Sequence, residues 1–265
     1  MSDFRTESKH IELKGELSNN QETKAELLER LKRINHFLLD YDDTIIFLPD
    51  RLKFESLNFA HKEIVSSNDK LSSMKGEEFA RIMLDFADPE TSQTKFLRDN
   101  NLNTPEVILF WQLYRQYLYL HLEQFSNEII ISHGFEEFVK FCNSKSIKLS
   151  LVTNSDMEWI NKTLCQNSKL SNIKEILNGF ERLICLRGSS FKSKPDTECL
   201  IDLINSQELE ILTGAYIGNS LKDHAFAQQS NLLSVQIREA SFEDGLYANQ
   251  YLQFQDFTKL LAVLS

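Results

Sequence analysis

The sequence predicts an α/β protein with a doubly wound parallel sheet as its core and an α-helical cap inserted into that core. In the second half of the chain, short apolar runs alternate with helical segments, which is typical of a parallel sheet covered by helices. A long helical stretch, residues 50–133, follows the first predicted strand and exceeds a simple crossover connection. A chain of 265 residues is long enough to form both parts.

The N-terminal part of the chain predicts a tail, one helix and the first strand. Residues 1–21 are polar and lack periodicity, so we expect a loose tail there. A helix over residues 22–34 is predicted by apolar residues at helical spacing, namely Leu27, Leu28, Leu31 and Ile34. The apolar run after this helix predicts the first strand over residues 35–40.

The other elements divide between the core and the cap. Apolar-biased runs predict four more strands: Ile147–Thr153, Arg182–Leu186, Ala215–Ile217 and Leu232–Ile237. Core helices are predicted at Phe135–Ser144, Glu158–Gln166, Thr197–Ile204 and His224–Gln229, and cap helices at Phe54–Ser66, Lys75–Phe86 and Pro105–Phe125. We therefore expect a tail and helix at 1–34, a Rossmann-like core at 35–49 and 134–265, and the cap at 50–133.

Composition and charge exclude several classes of protein. With 42% hydrophobic residues the chain can bury a sizeable core and is not expected to be disordered. A net charge of −10 without a basic stripe disfavours nucleic acid as a partner. The sequence shows no signal peptide and no apolar stretch of membrane-spanning length, so we expect a cytoplasmic protein without membrane contact. The cysteines form no CxxC pair and are expected to be reduced thiols: Cys142, Cys165, Cys185 and Cys199.

A cluster of carboxylates follows the first predicted strand, in the segment Asp40-Tyr41-Asp42-Asp43-Thr44. Ligands in open α/β sheets bind just outside the carboxyl ends of the strands. Two aspartates at positions i and i+2 can meet one ligand there: one attacks, the other transfers protons, and a divalent cation offsets their repulsion. This pattern favours phosphoryl-transfer chemistry.

Three further polar motifs follow later strands in the chain. Taken alone, the first is better explained as a helix cap, the second as a turn with a surface lysine, and the third is also explained by a turn and a cap. Thr153-Asn154-Ser155 ends one strand, Lys194-Pro195-Asp196 lies in the loop after the next, and Gly218-Asn219-Ser220 leads to Asp223. Together with the first cluster they supply, in order, carboxylates, a hydroxyl, a lysine and a further carboxylate, and this order at successive strand ends is improbable by chance.

From Phe37 to the C-terminus, this order of motifs resembles the haloacid dehalogenase-like superfamily of aspartate-nucleophile hydrolases and phosphotransferases. The resemblance implies that Asp40 is the nucleophile and Asp42 the general acid and base. It also implies that Thr153 binds the phosphoryl oxygens and that Lys194 neutralises charge on them. The implied cofactor is Mg²⁺, and the substrate contacts and metal ligands are then as follows: substrate, Asn154 and Thr44; metal, Asp40, Asp42, Asn219 and Asp223.

Three features refine the expected activity: Asp42, the inserted cap and Asn219. Asp42 favours phosphate esters over carbon–halogen bonds, because dehalogenases of the superfamily lack an acid there. The cap resembles that of the phosphoglycolate phosphatase and β-phosphoglucomutase branch, which implies a small phosphorylated metabolite as substrate. Asn219 stands where the family usually has an aspartate, so we expect weaker Mg²⁺ binding. The main hypothesis is therefore a Mg²⁺-dependent phosphatase, with a sugar phosphomutase or a catalytically impaired binding protein as alternatives.

Residues of the cap give a weaker signal about the substrate. Six basic residues are candidates to contact it, although each alone is better explained as a solvated helix residue: Arg51, Lys53, His61, Lys62, Arg81 and Arg115. Four residues at helical spacing are expected to pack inside the cap: Trp111, Tyr114, Tyr117 and Leu118.

Overall fold

A computed structural model describes residues 22–65, 71, 73–84, 89–165, 170–206, 208–237 and 251–265. The predicted tail at 1–21 lies outside these residues. The described part of the chain contains a six-stranded sheet with parallel pairing throughout, flanked by helices, which confirms the α/β class. None of the helices in this part is both long and apolar enough to span a membrane.

The parallel sheet has the order β5-β4-β1-β6-β7-β8. Its strands are β1 His36–Leu39, β4 Lys148–Thr153, β5 Arg182–Cys185, β6 Gly214–Gly218, β7 Leu233–Ile237 and β8 Leu252–Phe254. A separate antiparallel pair joins β2 Ile46–Phe47 to β3 Ile130–Ile131, one on each connection between the core and the cap. The sequence did not predict β2, β3 or β8, because each is only two or three residues long.

The central strand β1 shows why the sheet needs helices on both faces. All four of its residues are buried. Phe37 and Leu39 belong to one apolar cluster and Leu38 to another, as the two-residue period of a strand requires. On the first face Phe37 packs edge-on against Phe138, with ring centroids 5.2 Å apart. A strand covered on both faces reads as a continuous apolar run, and this run is what predicted it.

The α-helices agree with the prediction in most cases. They are α1 Lys24–Leu31, α2 Asp50–Val65, α3 Gly76–Leu84, α4 Pro89–Asp99, α5 Thr104–His121, α6 Phe135–Ser144, α7 Met157–Cys165, α8 Ser171–Asn178, α9 Ile201–Asn205, α10 Leu221–Gln229 and α11 Phe257–Leu264. The helices α4, α8 and α11 were not predicted. The predicted helix at Thr197–Ile204 is a 3₁₀ turn, Glu198–Leu200, followed by the short α9.

The helices α2 to α5 have an apolar cluster of their own. Phe79 and Phe110 are fully buried in it, with ring centroids 5.7 Å apart in an edge-on arrangement. Asn103 caps α5 by accepting from the Glu106 backbone N–H, while the Glu106 carboxylate accepts from the Asn103 N–H. One face of α5 lies opposite the carboxyl ends of the core strands, and this position makes the helix part of the candidate site.

Gly134 and Gly188 allow a test of how the start of α6 is held against α11. Both glycines have φ +78°, but a Cβ on Gly134 would lie 2.6 Å from the Thr258 nitrogen, while a Cβ on Gly188 meets nothing within 4 Å. We expect Gly188→Ala to lower the free energy of unfolding by about 1 kcal/mol and Gly134→Ala by at least about 2 kcal/mol. Urea unfolding measures both, and equal losses would contradict the close packing of Gly134.

Candidate active site

The four polar motifs meet at one edge of the sheet. β1 lies between β4 and β6, so the residues at their carboxyl ends are neighbours in space. They line a cavity of about 420 Å³ between these strand ends and the cap. Most of the predicted site residues line it: Asp40, Asp42, Thr153, Asn154, Lys194, Asn219 and Asp223.

Lys194 lies at the centre of this arrangement. Its buried ammonium group is 2.9 Å from Asp40 Oδ1 and 2.6 Å from Asp223 Oδ1, and it donates to the Tyr216 hydroxyl at 2.6 Å. Burial lowers the pKa of Lys194, but the charges of Asp223 and Asp40 outweigh burial and raise it. Lys194 is therefore a permanent cation shared by two carboxylates.

Asp40 is the less satisfied of those two carboxylates. Its Oδ1 is buried and forms an ion pair with Lys194, but that contact lacks hydrogen-bond geometry. Burial raises the pKa of Asp40 to about 7, with the Lys194 charge opposing and Asp223 adding to the rise. Asp40 thus has an oxygen available for another positive centre in the cavity.

Asp223 is fully engaged by its neighbours. Its Oδ2 accepts from the Ser220 hydroxyl at 2.7 Å and from the backbone N–H groups of Ser220 and Asn219 at 3.0 and 3.2 Å. Burial raises the pKa of Asp223, but Lys194 and Ser220 outweigh it, and the net effect is a lowered pKa. A Cβ on Gly218 would lie 2.5 Å from the Asp223 carboxyl carbon, so the glycine permits this close approach. In this geometry Asp223 holds Lys194 and its own loop in place.

Asp42 lies on the same side of its segment as Asp40, while the intervening Tyr41 is fully buried in the core. Asp42 Oδ1 accepts from Trp159 Nε1 at 2.9 Å, and Oδ2 accepts from the Ser155 hydroxyl. Burial raises the pKa of Asp42, against the two hydrogen bonds. A carboxyl group with a raised pKa can hold and donate a proton nearer to neutral pH.

The remaining predicted residues have different surroundings. Thr153 Oγ1 accepts from the Ser155 N–H at 3.2 Å, and Asn154 Oδ1 accepts from the Lys194 N–H at 2.8 Å, which joins two loops of the site. Thr44 is fully buried and does not line the cavity. The expectation that Thr44 contacts the substrate is therefore wrong, because its side chain is buried and cannot be reached from the cavity.

The residues around Asp40 allow a test of whether the site suits Mg²⁺. The described residues contain no group of three or more His, Cys, Asp or Glu side chains arranged to hold a metal. Four carboxylates line the cavity, and those of Asp42, Asp43 and Asp223 already accept hydrogen bonds from protein groups, whereas Asp40 Oδ1 accepts none. The donors considered for a metal are therefore the Asp40 carboxylate and the Asn219 amide in the same cavity. Both are hard donors of the type that Mg²⁺ accepts, but only one is charged. The donor set fits a weakly held Mg²⁺ that keeps several waters.

The cap supplies the other wall of the cavity. Of the six basic candidates, Lys53 and Arg115 line it. Lys53 Nζ forms an ion pair with Asp43 at 2.6 Å, which joins α2 to the turn after β1. Trp111 and Tyr114 pack against the cap cluster, as predicted, and in addition face the cavity.

Several residues of the site were not singled out from the sequence. They are Trp159, Arg187 and Tyr216, together with Tyr119 on the cap. Trp159 comes six residues after Thr153, and this closeness in sequence is the one signal that places it near the second motif. The other positions depend on which strand ends become neighbours.

Comparisons with known proteins agree with this geometry. The sequence model of the haloacid dehalogenase-like hydrolases matches residues 38–237, which include all four motifs. No curated protein matches the sequence.

Solved structures share the fold at low sequence identity. A predicted phosphoglycolate phosphatase from Haemophilus somnus has a TM-score of 0.61 and 14% identity over 88% of this chain and 99% of that one. A protein of Thermotoga maritima provisionally assigned as a β-phosphoglucomutase has a TM-score of 0.55 and 16% identity, over 87% of this chain and 98% of that one. CbbY from Rhodobacter sphaeroides, solved with phosphate, has a TM-score of 0.58 and 15% identity, over 87% of this chain and 99% of that one.

The raised pKa of Asp40 predicts how stability of the metal-free protein changes with pH. Its folded-state pKa of about 7 exceeds the ordinary value of 3.8. Folding therefore binds a proton in this range, and the contribution of Asp40 to stability falls as pH rises from about 4 to about 7. In EDTA at pH 8 we expect Asp40→Asn to melt about 2–4 °C above the unsubstituted protein, for a gain of about 1 kcal/mol.

This difference in melting temperature should shrink at pH 5, where Asp40 is protonated in the folded protein. The exposed Asp50→Asn variant is the matched control for the same chemical change outside the cavity. A melting difference for Asp40→Asn that is the same at both pH values would contradict the raised pKa.

Proposed function

The chain belongs to the haloacid dehalogenase-like hydrolase family, and we propose that it is a Mg²⁺-dependent phosphatase of a small phosphorylated metabolite. The observation that carries this proposal is the pairing of Asp40 with Lys194 in a cavity that also contains Asp42. A nucleophile, a fixed cation and a proton-transfer group thus line one space, as a phosphoric monoester hydrolase requires. The phosphatase activity predicted for the structurally similar Haemophilus somnus protein supports the proposal.

In the first half of the proposed reaction, an Asp40 oxygen attacks the phosphorus of the ester and an aspartyl-phosphate forms. The bond from phosphorus to the ester oxygen breaks, and Asp42 gives its proton to that oxygen, so the product leaves as an alcohol. Lys194 stabilises the negative charge on the phosphoryl group, and its position is already fixed by Asp223.

In the second half, Asp42 acts as a base. It takes a proton from water, whose oxygen attacks the phosphorus of the aspartyl-phosphate. The acyl–phosphate bond breaks, inorganic phosphate leaves, and Asp40 is a carboxylate again. A Mg²⁺ ion held by Asp40, the Asp42 backbone carbonyl and Asn219 would supply further charge neutralisation at the phosphoryl group.

Two alternatives remain, each with its own supporting observation. A sugar phosphomutase is supported by the Thermotoga maritima neighbour, and turnover that requires a sugar bisphosphate would identify it. A catalytically impaired binding protein is supported by Asn219, whose amide supplies no charge to a cation where the family usually has an aspartate.

Hydrolysis of p-nitrophenyl phosphate tests the main proposal. We expect hydrolysis that needs Mg²⁺, stops with EDTA and falls at least about 10³-fold in Asp40→Asn, because an amide cannot form the acyl phosphate. Asp50→Asn is the control for the same change at an exposed position and should retain activity. Activity that survives in Asp40→Asn would rule out Asp40 as the nucleophile.

Asn219→Asp tests the weak metal site. A second carboxylate should tighten Mg²⁺ binding about ten-fold, because ligand charge sets the affinity for a hard cation. Isothermal titration calorimetry measures this directly, with the exposed Asn178→Asp as the matched control. Unchanged affinity would show that Asn219 does not contact the metal, and a large gain in activity would favour the impaired binding protein.

A further inference from the structure

Trp159 makes a polar contact with the proposed acid–base residue. It lies in the first turn of α7, is 5% exposed, and donates from Nε1 to Asp42 Oδ1 at 2.9 Å. Its own backbone N–H donates to Asp156 Oδ1 at 2.7 Å, which anchors this turn of the helix. Trp159 is therefore held by hydrogen bonds from both its backbone nitrogen and its indole nitrogen.

The two hydrogen bonds to Asp42 place different limits on where its carboxyl group can carry a proton. An indole N–H can only donate, so Asp42 Oδ1 must remain an acceptor whether or not the carboxyl group is protonated. The Ser155 hydroxyl beside Oδ2 can donate to the carboxylate or accept from the acid. The carbonyl oxygen of a carboxylic acid accepts more strongly than its hydroxyl oxygen, so the indole N–H favours Oδ1 as the carbonyl and Oδ2 as the oxygen that carries the proton.

The same tryptophan contacts the cap. The Tyr119 ring on α5 lies 5.0 Å from the Trp159 ring between centroids, and the Tyr119 hydroxyl donates to Asp156 at 2.8 Å. Lys162 on α7 donates to the Tyr119 backbone carbonyl and lies 5.2 Å from the centre of its ring. The cap helix and the turn that carries Trp159 are thus fixed to each other.

We propose that Trp159 is a positioning residue, which fixes the Asp42 carboxyl group and directs its acid proton to Oδ2 while the cap is packed on the core. This inference rests on the proposed phosphatase function. The proton then moves from Asp42 Oδ2 to the ester oxygen of the leaving group as the bond to phosphorus breaks. The residue itself does not touch the reacting atoms.

The dependence of rate on the leaving group tests this role. An alkyl ester such as glycerol phosphate needs a proton on its leaving oxygen, whereas p-nitrophenolate is a stable anion and leaves without one. We expect Trp159→Phe, which keeps an aromatic ring but loses the N–H, to lower kcat/KM for the alkyl ester about ten-fold more than for the nitrophenyl ester.

Trp111→Phe is the matched control, because Trp111 lines the same cavity and no hydrogen bond joins it to Asp42. It should lower both rates in the same proportion. Proportional losses in Trp159→Phe would overturn the positioning role while leaving the phosphatase proposal intact. Absence of Asp40-dependent hydrolysis in the unsubstituted protein would overturn both.

A second measurement does not depend on turnover or on the folding of Trp159→Phe. The chain has two tryptophans, so the ¹⁵N NMR spectrum contains two indole N–H signals, which Trp111→Phe assigns. In Asp42→Ala we expect the Trp159 signal to move upfield as its acceptor is lost, with the Trp111 signal as the internal reference. A Trp159 signal that stays in place would overturn the contact on which the inference depends.

Discussion

The buried ammonium group of Lys194 is the interaction on which the rest of this site depends. Two carboxylates approach it: Asp40, directly after β1, within 2.9 Å, and Asp223, in the first turn of α10, within 2.6 Å. Without the cation their burial would cost several kcal/mol. Lys194 also donates to Tyr216 on β6, and its backbone donates to Asn154 after β4. Lys194 thus links the segments that follow β1 and β4 to β6, and the position of Asp40, the proposed nucleophile, is fixed as a consequence.

Asp40 and Asp223 share Lys194 but differ in the number of hydrogen bonds that their carboxylates accept. Asp223 accepts hydrogen bonds on both oxygens, so its charge is satisfied within the protein. Asp40 has the ion pair alone, and its pKa is raised. A group that is buried, charged and incompletely satisfied is the one that gains most when a phosphoryl group or a cation enters the cavity. Structural and chemical roles are in this way divided between two aspartates around one lysine.

Much of the core could be predicted from the sequence, because β1 and β4 are apolar runs that end in polar motifs, and motif order implied their proximity. The short strand β8 could not, since three residues give too little periodicity. Nor could the contact of Trp159 with Asp42, which needs the register of α7 against the turn after β1. Thr44 shows the limit of assigning roles to a whole motif: it lies two residues after Asp42, the proposed acid–base residue, yet is fully buried and does not line the cavity.

The most direct test of the central claim is to trap the aspartyl-phosphate. Borohydride added during turnover reduces an acyl phosphate to the alcohol, which would convert Asp40 to homoserine, and peptide mass spectrometry locates the change. The account predicts homoserine at Asp40, dependent on substrate, with Asp42 and Asp223 unmodified. Reduction at another residue, or turnover without any reducible intermediate, would contradict it.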